Sequence, residues 1–124
     1  MRTGRVLPHP IPYQGSKRAL AQRILPLFPK EKVRLFEPFA GSAAVSIAAA
    51  ANGMLGQIVL NDANEPLMRL WNRIIENPYD LIATYERLWN EQGGDERQYY
   101  DYIRAEFNKS HDPDYLLYLL ARCV

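Results

Sequence analysis

One cysteine, two histidines and no long apolar run are what this sequence of 124 residues has least of. With Cys123 alone no internal disulfide can form, which fits the reducing cytoplasm. His9 and His111 lie far apart in the sequence without other ligands beside them, so no metal is implied. The longest apolar stretch, residues 43–60, is broken by Asn52, Gly53, Gly56 and Gln57. It is too short and too interrupted to span a bilayer, so no membrane partner is expected. Residues 1–10 are basic and proline-containing without an apolar centre, so no secretory signal is expected there. What is present is an ordinary globular balance, 48% hydrophobic and 23% charged. The length suits one domain but is short for a complete enzyme.

Charge is uneven along the chain. Residues 1–34 carry eight Lys/Arg against Glu31 alone, a net of +7, whereas the other 90 residues carry seven basic and thirteen acidic groups, a net of −6. A basic end on an acidic chain suits a polyanion contact, and equally a solvated basic tail.

The pattern predicts helix, strand, helix, strand, helix and then three more helices. Ser16 is placed to cap a helix running through Phe28, ended by Pro26 and Pro29. Residues 33–37 read as a short buried strand, 42–51 as a helix of small residues closed by Gly53, and 57–60 as a second strand. Asn64 opens a helix with Pro66 in its first turn and Leu67, Leu70, Trp71, Ile74 and Ile75 on one face. Asn77-Pro78 and Asp112-Pro113 start two more, with one between them from about Asp95 to Lys109. Two strands make a poor α/β domain, because both edges of the sheet stay open. The expected class is therefore α/β, the first half of a doubly wound fold.

The stretch Leu-Phe-Glu-Pro-Phe-Ala-Gly-Ser-Ala-Ala-Val, residues 35–45, carries the chemistry. A strand, a small-residue turn and a helix bring backbone N–H groups beside a ligand, and Gly41 allows an approach that a side chain would block. No lysine follows Gly41 to meet a phosphate, and three glycines at dinucleotide spacing are missing. What remains is a nucleoside ligand without a pyrophosphate. Asp62, at the end of the second strand and twenty-one residues after Gly41, is placed to accept both ribose hydroxyls; its other reading is a helix cap.

Four segments, PYQGSK (12–17), FEPFAGSAAV (36–45), LNDANEPL (60–67) and EFNKSHDP (106–113), resemble in order and spacing the motifs of the Dam-type DNA adenine-N6 methyltransferases. The resemblance runs over nearly the whole chain from residue 10. It implies a Rossmann-like methyltransferase fold followed by a helical segment, S-adenosylmethionine as cofactor and duplex DNA as partner. It places Tyr13, Lys17, Pro38, Phe39, Ala40, Gly41, Ser42, Ala43 and Asp62 at the cofactor. Tyr13 would cover an aromatic or cationic part of it, or else is a packing residue. Lys17 would meet the methionine carboxylate or nearby DNA, or else is a surface charge. Ala43 departs from the family loop, which often has a second glycine there. By the same resemblance residues 1–76 are the N-terminal, cofactor-binding part of the catalytic domain, and 77–124 an incomplete helical segment leading into target recognition.

The family extrudes adenine into a pocket and holds it with an Asp-Pro-Pro-Tyr motif after a strand. Residues 76–80 and 112–115 are near misses, and both read better as helix starts, so no catalytic residue is assigned here. The expectation is either a piece of a longer enzyme or one polypeptide of a split methyltransferase, completed by a second polypeptide carrying that motif. A different class of function, a non-catalytic regulatory module that binds a nucleoside cofactor or DNA, is the alternative.

Overall fold

The computed structural model describes residues 6–123 and divides the chain into two compact units, one ending at Ala63 and the other beginning at Asn64. Arg2 and Arg5, two of the basic residues noted above, lie outside the described residues.

In the first unit α1 (Arg18–Ile24) leads through a 3-10 turn (Leu25–Leu27) to β1 (Val33–Glu37), α2 (Ala44–Ala51) and β2 (Leu55–Leu60). The two strands are parallel, Arg34 opposite Gln57 and Glu37 opposite Leu60, with an irregularity beside Val33. The helix expected through Phe28 stops at Ile24, because Pro26 lacks the N–H that would continue the ladder. Nor does Ser16 cap its third position: Lys17 is the flanking residue, and within α1 Ser16 Oγ meets the Arg18 N–H, at 3.3 Å. α2 starts two residues later than expected, since Gly41 (φ 52°) and Ala43 (φ 53°) are both left-handed. It ends as Gly53 predicts: Gly53 N–H reaches Ala50 O at 3.0 Å and Met54 N–H reaches Ala49 O at 3.1 Å, a Schellman closure. β2 then begins at Leu55, two residues before the expected start. The core here is made of Leu25 and three alanines, Ala21, Ala48 and Ala49, with Leu7, Phe28 and Met54 packed on them. His9 is half-buried, and desolvation followed by the Arg18 charge holds its imidazole below the usual histidine range.

The second unit is helical: α3 (Glu65–Glu76), α4 (Pro78–Glu91), α5 (Glu96–Ser110) and α6 (Pro113–Arg122), with α6 packed on the other three. Its starts are local chemistry. Asn64 accepts the Leu67 N–H at 3.2 Å, Asp95 the Gln98 N–H at 3.0 Å and Asp112 the Asp114 N–H at 2.9 Å. Asn77 is the exception, for its side chain makes no cap and its amide closes α3 on Arg73 O. The two near-miss segments thus do open helices, at Pro78 and Pro113. Leu88, Ile103, Tyr118 and Leu119 form the core, and Leu67 and Leu70 are fully buried. Arg73 grips Asp114 through two bonds of 2.8 and 2.7 Å and reaches Asp80 at 2.7 Å, tying α3 to α6 and α4. By packing α3 belongs with the later helices, whereas the boundary at 76/77 expected above concerns family segments.

Candidate functional site

The loop from Pro38 to Ala43 joins the end of β1 to the start of α2, and the residues after β2 brace it. Asn61 makes three of the ties: its N–H donates to Glu37 O (3.0 Å), its carbonyl accepts the Ala40 N–H (2.9 Å) and its Nδ2 donates to Pro38 O (3.3 Å). Asp62 makes the fourth, accepting the Gly41 N–H on Oδ2 at 3.1 Å. Ala43 N–H closes back on Ala40 O at 2.7 Å. The backbone of this loop is therefore fixed by polar contacts rather than by packed side chains. Small side chains let the loop sit deep: Ala40, Gly41, Ser42 and Ala43 are all buried.

The segment before α1 folds onto the same loop. The Tyr13 ring lies on Gly41 so closely that a Cβ built there would stand 3.0 Å from its Cε1. Ser42 Oγ donates to Ser16 Oγ at 2.9 Å. Three stretches far apart in sequence, 13–16, 38–43 and 61–62, thus meet around one glycine. Among the residues expected at the site, Tyr13, Gly41, Ser42 and Asp62 come together through direct contacts. Pro38 offers its carbonyl to Asn61, and Ala40 and Ala43 shape the turn. Lys17 is exposed and bonds its Nζ to Gly15 O at 3.1 Å. Phe39 is 90% exposed, an aromatic ring displayed beside the loop.

The sequence reading passed over Glu37, Ser46 and Asn61. Glu37 Oε2 accepts both the N–H of Ser46, at 3.2 Å, and its hydroxyl. The one available signal was position, since Glu37 ends β1 and Asn61 follows β2, each immediately before a residue already assigned to the site.

Chemically the arrangement offers a carboxylate just past a strand end, an aromatic face over a glycine and, among the described residues, no cation bonded into the loop to neutralise a pyrophosphate. That set suits a nucleoside with a short, self-neutralised tail. Exposed on the same unit are Lys17, Arg18, Arg23, Lys30, Lys32 and Arg34, a basic surface facing solvent. Among the described residues no helix is long and apolar enough to cross a membrane.

Comparison with known proteins adds two findings. Residues 13–124 match the family model of the D12 class N6 adenine-specific DNA methyltransferases. The sequence is also similar to a DNA adenine methylase of Haemophilus influenzae (strain ATCC 51907 / DSM 11121 / KW20 / Rd), 30% identical over 101 residues, which is 82% of this chain and 34% of that protein. The chain spans about a third of the length of the curated relative it matches.

Proposed function

The chain belongs to the D12 class of N6 adenine-specific DNA methyltransferases, and from that premise we propose that its first unit is the S-adenosylmethionine-binding part of an enzyme that methylates adenine N6 in duplex DNA. One observation carries the proposal: Gly41 is held by Asp62 through a 3.1 Å bond while the Tyr13 ring covers it. These residues come from three separate motifs, Gly41 and Asp62 assigned to a nucleoside by their chemistry and Tyr13 by the family resemblance.

The roles follow from the atoms. Asp62 anchors the loop amide and offers carboxylate oxygen to ribose hydroxyls. Tyr13 supplies an aromatic face for the adenine or the sulfonium, a contact of cation–π type for the latter. Pro38, Phe39, Ala40, Gly41, Ser42 and Ala43 form the floor, a loop of mostly small residues held by hydrogen bonds. Lys17 stands at the entrance of α1, within the exposed basic surface, to meet the methionine carboxylate or a DNA phosphate. When bound, the cofactor supplies the electrophilic methyl group. Residues 1–76 form the N-terminal part of the catalytic domain, and residues 77–124 lead into target recognition. The adenine-holding Asp-Pro-Pro-Tyr motif is assigned to polypeptide other than these 124 residues.

Calorimetric titration with S-adenosylmethionine tests this. Saturable binding by the wild type is expected, weakened at least about tenfold by Asp62→Ala, which removes a hydrogen-bonding charge. Tyr13→Ala is expected to weaken it less, by the loss of one stacked ring. A folded wild-type chain with no saturable uptake would remove the cofactor from these residues.

A further inference from the structure

The loop between β1 and α2 contains a helix start that its own residues do not cap. Ala43 precedes α2, and a methyl cannot accept the N–H groups of the first turn. Ala43 also stands in the left-handed region, at φ 53°, two residues after Gly41 at φ 52°. A left-handed pair containing an alanine relaxes unless something holds it.

Glu37 is placed to do so. It is the last residue of β1, and its carboxylate meets the third amide of α2, Ser46 N–H, at 3.2 Å and the Ser46 hydroxyl as well. Ser46 is 3% exposed, so both contacts are shielded from water. The carboxylate also faces the positive end of the α2 dipole. Through its own carbonyl Glu37 accepts the Asn61 N–H, one residue before Asp62. One residue therefore joins β1 to α2 through its side chain and to the residues after β2 through its carbonyl.

We propose that Glu37 is a positioning residue of the cofactor loop: its carboxylate provides the cap that Ala43 lacks and thereby holds Gly41 and Ala43 in the conformation that aims the Gly41 N–H at Asp62. The consequence for ligand binding rests on the cofactor reading given above; the consequence for the loop does not.

Amide hydrogen exchange at Gly41 and Ser46, measured in the wild type, Glu37→Gln, Glu37→Asp and Ser46→Ala, decides the matter. Glu37→Gln keeps an acceptor oxygen but removes its charge, and is expected to speed exchange at Gly41, whose acceptor is Asp62, by about tenfold, the effect of weakening a charge-assisted bond to a neutral one. Glu37→Asp, one methylene too short to reach Ser46, behaves the same way. Adding Ala43→Gly to Glu37→Gln restores much of the protection, because glycine needs no support in the left-handed region. Faster exchange at Ser46 with Gly41 unchanged would overturn the proposal and leave Glu37 as a cap of α2 only. Should Glu37→Gln fail to fold, Glu37→Asp is judged by the same comparison, and Ser46→Ala, which keeps the carboxylate and the amide, is the control expected to leave Gly41 exchange near that of the wild type.

Titration with S-adenosylmethionine follows on the same proteins. Affinity is expected to fall in step with Gly41 protection and to recover in the Ala43→Gly double variant. Equal affinity in wild type and Glu37→Gln would overturn the role in binding. A wild type that takes up no cofactor would strike the cofactor reading instead, with the exchange result standing by itself.

Discussion

The buried positions of the two units are filled by different kinds of residue. In the first most are small, Ala21, Ala40, Ala43, Ala44, Ala48 and Ala49 with Ser42 and Ser46, and only Ile11 and Leu25 are large, while in the second the largest are Tyr118, Leu67, Leu70, Leu88 and Ile103. Small side chains bring backbones together and leave little apolar area to bury, so the first unit relies on hydrogen bonds for its shape. Large ones fill volume and remove more area from water, at about 25 cal/mol for each Å². The contrast separates conformational specification from stability. A loop meant to receive a ligand needs a defined backbone with room above it, which a dense core would close. The second unit has no such demand and is packed accordingly.

The strongest challenge to this contrast is a truncation in each core. Leu70→Ala in α3 removes a fully buried side chain and is expected to cost about 3 kcal/mol in urea unfolding. Ala48→Gly, equally buried in α2, removes one methyl and helical propensity, for about 1–2 kcal/mol. Equal losses would mean that the two units draw their stability from the same source.

Gly41→Ala comes next. The position is left-handed at φ 52°, and the added Cβ would lie 3.0 Å from the Tyr13 ring. Backbone strain and the displaced ring together are expected to cost about 2 kcal/mol. The sharper result lies in the titration, where S-adenosylmethionine affinity should drop at least about tenfold because the ring and the loop both move. Stability lost without any change in affinity would detach Tyr13 and Gly41 from the ligand.

Alkaline pH should single out the second unit. Burial, the first cause in each case, raises the phenols of Tyr99, Tyr100 and Tyr118, and for Tyr99 the bond to Glu91 adds to it. A group raised in the folded state lends stability that is complete below its unfolded value, near pH 10 for tyrosine, and is lost as pH climbs beyond it. Amides of α4–α6 should therefore lose exchange protection above about pH 10, together with a cooperative rise in tyrosinate absorbance. Tyr118→Phe should blunt that rise. Loss of α2 protection ahead of α4–α6 in the same titration would contradict the assignment.

What the sequence disclosed follows the same division. Starts at Asn64, Asp95 and Asp112 and the stop at Gly53 were legible because each needs only residues within one turn of chain. The parallel strands and the turn at Gly41 were legible as motif chemistry, whereas the bond from the Gly41 N–H to Asp62 was not, since in sequence Asp62 reads as a ribose acceptor or a helix cap. The ties of Glu37 to Ser46 and of Asn61 to Pro38 and Ala40 were not, because no local pattern reports a contact that only the folded strand–helix–strand creates. Ser16 and Asn77 show the reverse error. Both have the right residue type for a cap, yet Ser16 turns toward Ser42, and Asn77 uses its amide to finish the preceding helix. The second glycine absent from the loop was noticed, but not that Ala43 would itself take the left-handed conformation.

Ala43→Gly should give the smallest effect, and the balance of terms explains why alanine is tolerated there. Glycine would relieve a left-handed conformation that costs an alanine about 1–2 kcal/mol. Against this, the unfolded chain gains freedom worth about 0.4–1 kcal/mol, and a methyl that is 1% exposed is lost, worth about 0.8 kcal/mol. The opposing terms are of the same size, so urea unfolding should shift by less than about 1 kcal/mol in either direction. Affinity for S-adenosylmethionine should stay within about twofold, because Glu37, Asn61 and Asp62 still hold the loop from three sides. A gain in stability well beyond 1 kcal/mol would mean that the alanine methyl contributes nothing to packing. The strain in this loop would then be tolerated for the sake of the ligand alone, and the hydrogen-bonded unit would be less well packed than its buried alanines imply.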